Sequence, residues 1–201
     1  MSGRFEWRKV STEYREVRGH ERRWLVNKEE ILDTQTGHVE KRGVMRHPGV
    51  CVVAPFLDDD TILLMRQYRY SLDGELWELP AGTLEGREEK GRMAAAETPE
   101  ECAARELKEE TGYRAARWEK VAECYAMPGS SDELIHVFFA RDLEAGEPES
   151  DAGEVISEVR AFTTAELEGM IGQGEVRDAK TLVTLFYALS RRPSGARIAP
   201  R

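Results

Sequence analysis

The stretch that most limits the folds open to this chain is TPEECAARELKEETGY, Thr98 to Tyr113. Thr98-Pro99-Glu100-Glu101 is a capping box with proline at the first helical position. Gly112 supplies the C-terminal stop. Between these signals Glu106, Glu109 and Glu110 stand at i, i+3 and i+4, so their carboxylates share one helix face. Cys102, Ala103 and Leu107 take the opposite side, which suits burial. Each like-charge pair at this spacing costs about 0.2–0.5 kcal/mol. A hard divalent cation reverses that cost, because Mg²⁺ prefers carboxylate oxygen, water and substrate phosphate. The plain alternative is a solvated acidic face, in a chain with 38 acidic residues.

The rest of the chain alternates strands and helices. GVCVVAPFL and TILLMRQYRY are apolar runs separated by Asp58-Asp59-Asp60, which predicts a hairpin-like pair of buried strands. ELWELPAG follows as a strand and turn, and WEKVAECYA, LIHVFFARDL and VISEVRAF read as later strands. A second capping box, Thr163-Thr164-Ala165-Glu166, opens a short helix. In DAKTLVTLFYALSRR, Leu182, Leu185, Phe186 and Leu189 fall at helical spacing. The pattern is mixed α/β, a sheet covered by helices on two faces. Residues 1–47 read as a small β-rich unit with a turn at Thr36-Gly37, residues 48–190 as the main domain, and 191–201 as a flexible tail.

Charge and composition narrow the partners. A net charge of −9 argues against a nucleic-acid polyanion as main ligand. No apolar run approaches 18 residues, and MSGRFEWRKV lacks the apolar segment of a secretory signal. Cys51, Cys102 and Cys124 are odd in number and lack zinc-ligand spacing, so a reduced, cytoplasmic compartment is expected.

Glu97, seven intervening residues and then RELKEETGY resemble the Nudix box, G-x5-E-x7-R-E-U-x-E-E-x-G-U, with U a bulky apolar residue. MRHPGVCVVAPF, LLMRQYRY, LWELPAG, MPGSSDELIHVFFARDL and VRDAKTLVTLF are similar to the ADP-ribose pyrophosphatase branch of that family, over roughly Trp24 to Ser190. The resemblance implies a Nudix-type α/β/α sandwich with a mixed sheet. It also implies Mg²⁺- or Mn²⁺-dependent hydrolysis of a nucleoside diphosphate sugar, with ADP-ribose giving AMP and ribose 5-phosphate. GDP-mannose is a neighbouring substrate reading, and a non-catalytic sugar-nucleotide sensor is the reading from a different class.

Residue by residue, the resemblance assigns the metal to Glu106 and Glu110, supported by Glu109 and the main-chain carbonyl of Ala81, with Arg105 orienting the glutamates and Glu97 or Glu109 as its partner. The catalytic base falls in the acidic loop EAGEPESDAGEVISEV: Glu154 first, Glu149 and Asp151 behind it, with a box glutamate as the other option. Arg69 matches a phosphate- or ribose-contacting arginine, Glu133 a loop that meets the terminal ribose, and Pro128 a proline of ADP-ribose-cleaving members. Trp24 either stacks on the base or packs as core. Arg46 and His47 stand near the partner subunit's ligand or form a polar pair at a strand boundary. The N-terminal unit is expected to exchange between subunits of a homodimer.

Two glycines compete to open the box. Gly91 has the formal spacing to Glu97, but GREEKGRMA offers no apolar strand to present it. Gly82, after LWELPA, is therefore the expected turn, with an insertion inside residues 85–96 that bulges outward as a surface loop.

Overall fold

A computed structural model of the chain describes residues 5–16, 23–90, 92–149 and 154–191. The elements run β1 (Phe5–Glu16), β2 (Arg23–Asp33), β3 (Val39–Arg46), β4 (Val50–Pro55), β5 (Thr61–Arg69), β6 (Gly74–Glu78), β7 (Ala81–Thr83), β8 (Gly86–Glu89), β9 (Arg92–Ala95), α1 (Pro99–Thr111), β10 (Arg114–Tyr125), β11 (Leu134–Glu144), β12 (Ile156–Thr163), α2 (Thr164–Gln173) and α3 (Ala179–Ser190). The tail from 192 onward, Gly91 and Asp151 lie outside the described residues.

The strands divide among four sheets. β1-β2-β3 is an antiparallel meander that ends at Arg46. The central sheet, β10-β11-β4-β7, is mixed, because β11 runs parallel to β4 while its other pairings are antiparallel. β12-β5-β6 forms a third sheet, antiparallel throughout.

The central sheet is apolar on both faces, and period-two alternation sorts its side chains. Cys51 and Val53 of β4, with Phe138 and Ala140 of β11, pack against Cys102, Ala103 and Leu107 of α1. Val50, Val52 and Ala54, with Ile135, Val137 and Phe139, face the other way, towards Ile62 and Leu64 of β5 and Leu185 and Ala188 of α3. Burying a side chain such as Leu107 contributes about 1.5–3 kcal/mol, so α1 is held chiefly by this face.

Two expectations change. The apolar runs either side of Asp58–Asp60 meet in a tight connection, with the Leu57 N–H donating to the Thr61 carbonyl at 2.9 Å. They do not continue as a hairpin: β4 enters the central sheet and β5 the third. Both runs are apolar enough to be buried between layers, so each finds a different neighbour. The inserted segment is not a plain loop either. It folds as the antiparallel hairpin β8–β9, with Lys90 at its turn in a left-handed conformation (φ 51°).

Candidate active site

The run LWELPAG crosses between layers. β6 pairs with β5 through Glu78, and only three residues later β7 begins its pairing with β4. Pro80 sits at the crossing, where its missing N–H costs no ladder bond. The crossing places Ala81 and Gly82 against the carboxylate face of α1. The Ala81 N–H donates to Glu110 Oε2 at 2.8 Å. At Gly82 a methyl group would overlap the carboxyl group of Glu106. Glu106 thus fills the space that any larger residue at position 82 would need. That contact packs Gly82 directly on the glutamate helix.

The helix itself is closed at both ends as its sequence demands. The Thr98 side chain accepts from the Glu101 N–H, and Glu101 reaches back to the Thr98 N–H at 2.8 Å. Gly112 ends it at φ 78°, a left-handed conformation, and the Gly146–Pro148 backbone packs where a side chain would stand.

Arg105 ties the acidic residues together. Its Nη1 donates to Glu106 Oε1 at 2.7 Å and to Glu109 Oε2 at 3.1 Å, and its Nη2 to Glu97 Oε1 at 2.8 Å. Burial works against the charge of Arg105, but Glu97 and Glu106 outweigh it and hold the guanidinium protonated. Glu97 is opposed by burial too, yet its bonds to Arg105 and to the Glu85 N–H pull its carboxyl below the usual range.

Glu110 differs. It is 2% exposed, and burial and the neighbouring Glu106 push its carboxyl well above the usual range. The Ala81 N–H and Arg69 only partly oppose this, and Glu154 adds to it. Glu154 and Arg69 therefore stand within electrostatic reach of the α1 cluster. Glu149 is engaged elsewhere, with Lys108 Nζ at 2.5 Å from its Oε2.

Arg69 is held by a carboxylate the sequence reading did not single out. Its Nε and Nη2 donate to the two oxygens of Glu78 at 2.8 and 2.7 Å, and Lys180 of α3 donates to the same Glu78 at 2.6 Å. A lone glutamate inside the apolar stretch LWELP was the available signal. Nothing local announces Lys180, which lies 102 residues away.

Arg46 and Pro128 lie apart from this cluster. With Arg42, Arg92, Tyr125 and Asp132 they line a cavity of about 590 Å³ beside the N-terminal sheet. Arg46 is committed there, gripping both oxygens of Glu29 at 2.7 Å and Asp132 at 3.0 Å. His47 Nδ1 accepts from the Gly49 N–H at 3.1 Å and serves the turn. The Glu133 main chain belongs to the neighbouring 126–133 loop, its N–H donating to Ser131 Oγ at 3.1 Å. Trp24 is in β2, and its side chain lies outside the described part of the structure.

The donor chemistry of the carboxylate side of α1 suits a hard divalent cation, since Glu106, Glu109 and Glu110 offer carboxylate oxygens while Cys102 packs on the opposite side against β4. Among the described residues no three acidic, histidine or cysteine side chains converge as a ready-made metal cage, and Arg105 binds both Glu106 and Glu109. No helix among them is long and apolar enough to cross a membrane.

Residues 45–185 match the NUDIX domain. The chain belongs to the Nudix family. Its Nudix domain therefore takes in β4 to β12, the LPAG turn and the glutamate helix, and leaves β1 and β2 outside it. Over 160 residues the chain is 36% identical to an ADP-ribose pyrophosphatase of Bacillus subtilis, covering 79% of this chain and 81% of that protein. It is 35% identical over 137 residues to a GDP-mannose pyrophosphatase of Yersinia enterocolitica, covering 64% and 66%. A crystal structure of an ADP compounds hydrolase shares the fold, with a TM-score of 0.72 at 19% identity, over 92% of this chain and 93% of that one.

Proposed function

We propose that this Nudix protein is a divalent-metal-dependent pyrophosphatase acting on nucleoside diphosphate sugars, with ADP-ribose cleaved to AMP and ribose 5-phosphate. The observation that carries the reading is the packing of Glu106 and Glu110 against Ala81 and Gly82, which buries two carboxylates side by side, Glu106 paired with Arg105 and Glu110 pushed well above the usual range. The relative named ADP-ribose pyrophosphatase, similar over about four-fifths of both chains, supports the substrate class. The relative named GDP-mannose pyrophosphatase favours GDP-mannose as the second reading.

In this proposal Glu106 and Glu110, with Glu109 and the Ala81 carbonyl, hold Mg²⁺ or Mn²⁺. When bound, the cation activates water and stabilises the departing phosphate. Arg105 fixes the rotamers of Glu106 and Glu109. Glu154, within electrostatic reach of Glu110, takes the proton of the attacking water. Arg69, anchored by Glu78, presents its remaining N–H groups to the diphosphate or ribose. Arg46, Pro128, Glu133 and Trp24 belong to the substrate-binding side, and residues 1–47 form the unit exchanged in a homodimer.

The test is a screen of ADP-ribose, GDP-mannose and other dinucleotides with Mg²⁺ or Mn²⁺, reading phosphate released by a coupled phosphatase. Turnover of ADP-ribose to AMP is expected, and no turnover of any diphosphate would sink the enzyme reading. For the dimer, light scattering that shows a fully active monomer rejects the exchange.

A further inference from the structure

Directly behind the carboxylate face lies a pair of thiols for which the hydrolytic reading has no use. Cys51 on β4 and Cys102 on α1 are each 0% exposed, and their sulfurs stand 2.9 Å apart. Both are free cysteines. Cys102 Sγ also meets the Gly82 carbonyl at 3.7 Å and accepts from Arg105 Nη2 at 3.6 Å. The pair therefore joins the central strand, the turn and the helix that carries Glu106 and Glu110. Cys124 is placed differently: it packs against the core on the other face of the sheet.

A disulfide has its sulfurs about 2.05 Å apart, so this pair needs to close by under about 1 Å. We propose that Cys51 and Cys102 are an oxidation site, at which peroxide joins them in an intramolecular disulfide that fastens the glutamate helix to the central strand. Hydrogen peroxide is the oxidant class that fits, being small and uncharged enough to follow the paths water uses into a packed core. The Cys51 sulfur attacks one peroxide oxygen, and the O–O bond breaks. The departing hydroxide takes the Cys51 thiol proton as water, leaving a sulfenic acid. The Cys102 sulfur then attacks the Cys51 sulfur, and the S–O bond breaks. The leaving hydroxyl carries the Cys102 proton away as a second water. Two thiols lose two electrons, and the peroxide is reduced.

Contact with Cys51 and burial push the Cys102 thiol up, which makes its thiolate scarce and slows its attack on Cys51. Both thiols are shielded, so oxidation is slow, and the same shielding protects the bond from outside reductants once formed. A cross-link between residues 51 apart in sequence restricts the unfolded chain, and a rise in Tm of about 5–10 °C is expected.

The test uses the full-length, reduced protein and does not depend on hydrolase activity. After peroxide treatment, quenching, denaturation and alkylation, one alkylatable thiol is expected where the reduced chain has three. The intact mass falls by two hydrogens, and a non-reduced digest joins the Cys51 and Cys102 peptides. Cys124→Ala should behave like the wild type, and Cys51→Ala should give neither the cross-link nor the rise in Tm. Three thiols remaining after prolonged treatment, oxygen adducts in place of the bond, or a cross-link through Cys124 would each overturn the proposal.

Discussion

Glu78 and Glu110 are the same residue type at nearly the same burial, 0% and 2% exposed, and their carboxyl groups shift in opposite directions. Burial raises both. At Glu78 the bonds to Arg69 and Lys180 overturn that, leaving the carboxyl below the usual range. At Glu110 the nearest strong influence after burial is another carboxylate, Glu106, and the group stays high. One glutamate is closed inside a structural ion network, and the other is left electrostatically unfinished. Buried, under-compensated charge marks a candidate site more sharply than burial or acidity alone.

The largest expected effect comes from opening the closed network. Glu78→Gln leaves Arg69 and Lys180 without their shared anion, and a loss of about 3–5 kcal/mol is expected in chemical denaturation. The same carboxyl sets an acid limit. Its folded pKa lies below its unfolded value, so its contribution is present above about pH 4.5 and is lost as pH falls through the folded pKa. Wild-type stability should therefore drop more steeply below pH 4.5 than that of Glu78→Gln, and parallel curves would refute the pairing.

Glu110→Gln should act in the reverse sense. Without metal, it removes an uncompensated buried charge and keeps an acceptor for the Ala81 N–H, so a gain on the order of 1 kcal/mol, or about 2–4 °C in Tm, is expected. Because the folded pKa of Glu110 is raised, the wild type loses ground as pH rises through it, and the gap between the two proteins closes in acid. Turnover should fall by at least about 10–100-fold, the loss typical of an outer-shell partner. Unchanged turnover would reject its assignment to the metal.

Gly82→Ala sharpens the comparison from the neighbouring turn. The added methyl must displace the Glu106 carboxyl, with a cost of about 1–3 kcal/mol and a loss of turnover. A silent substitution would mean that Glu106 is not seated as described. The smallest effect is a control away from both glutamates: Thr163→Ala removes the α2 cap, which accepts from the Glu166 N–H at 3.3 Å. It should cost about 1 kcal/mol and leave turnover unchanged.

What was legible in the sequence follows the range of the forces involved. Both capping boxes, the Gly112 stop and the i, i+3, i+4 glutamates are short-range patterns, and α1 and α2 start, and α1 ends, where those residues require. Family membership rests on the same local spacings. The role of Gly82 could be argued because a strand and turn must precede the helix. The partition of β4 and β5 between sheets could not, since two apolar strands joined by Asp58–Asp60 suit either a hairpin or a crossover. Nor could residues 85–96 be seen as a hairpin, because GREEKGRMA carries no apolar alternation.

The sequence by itself determined that a capped helix would present three carboxylates on one face, since helical periodicity needs nothing beyond the helix. Only the tertiary structure decided which buried glutamate would be neutralised. Arg69 and Lys180 reach Glu78 from 9 and 102 residues away, while Glu110 finds a backbone N–H and a second carboxylate. Charge compensation depends on distances across the fold, and local sequence patterns do not encode them.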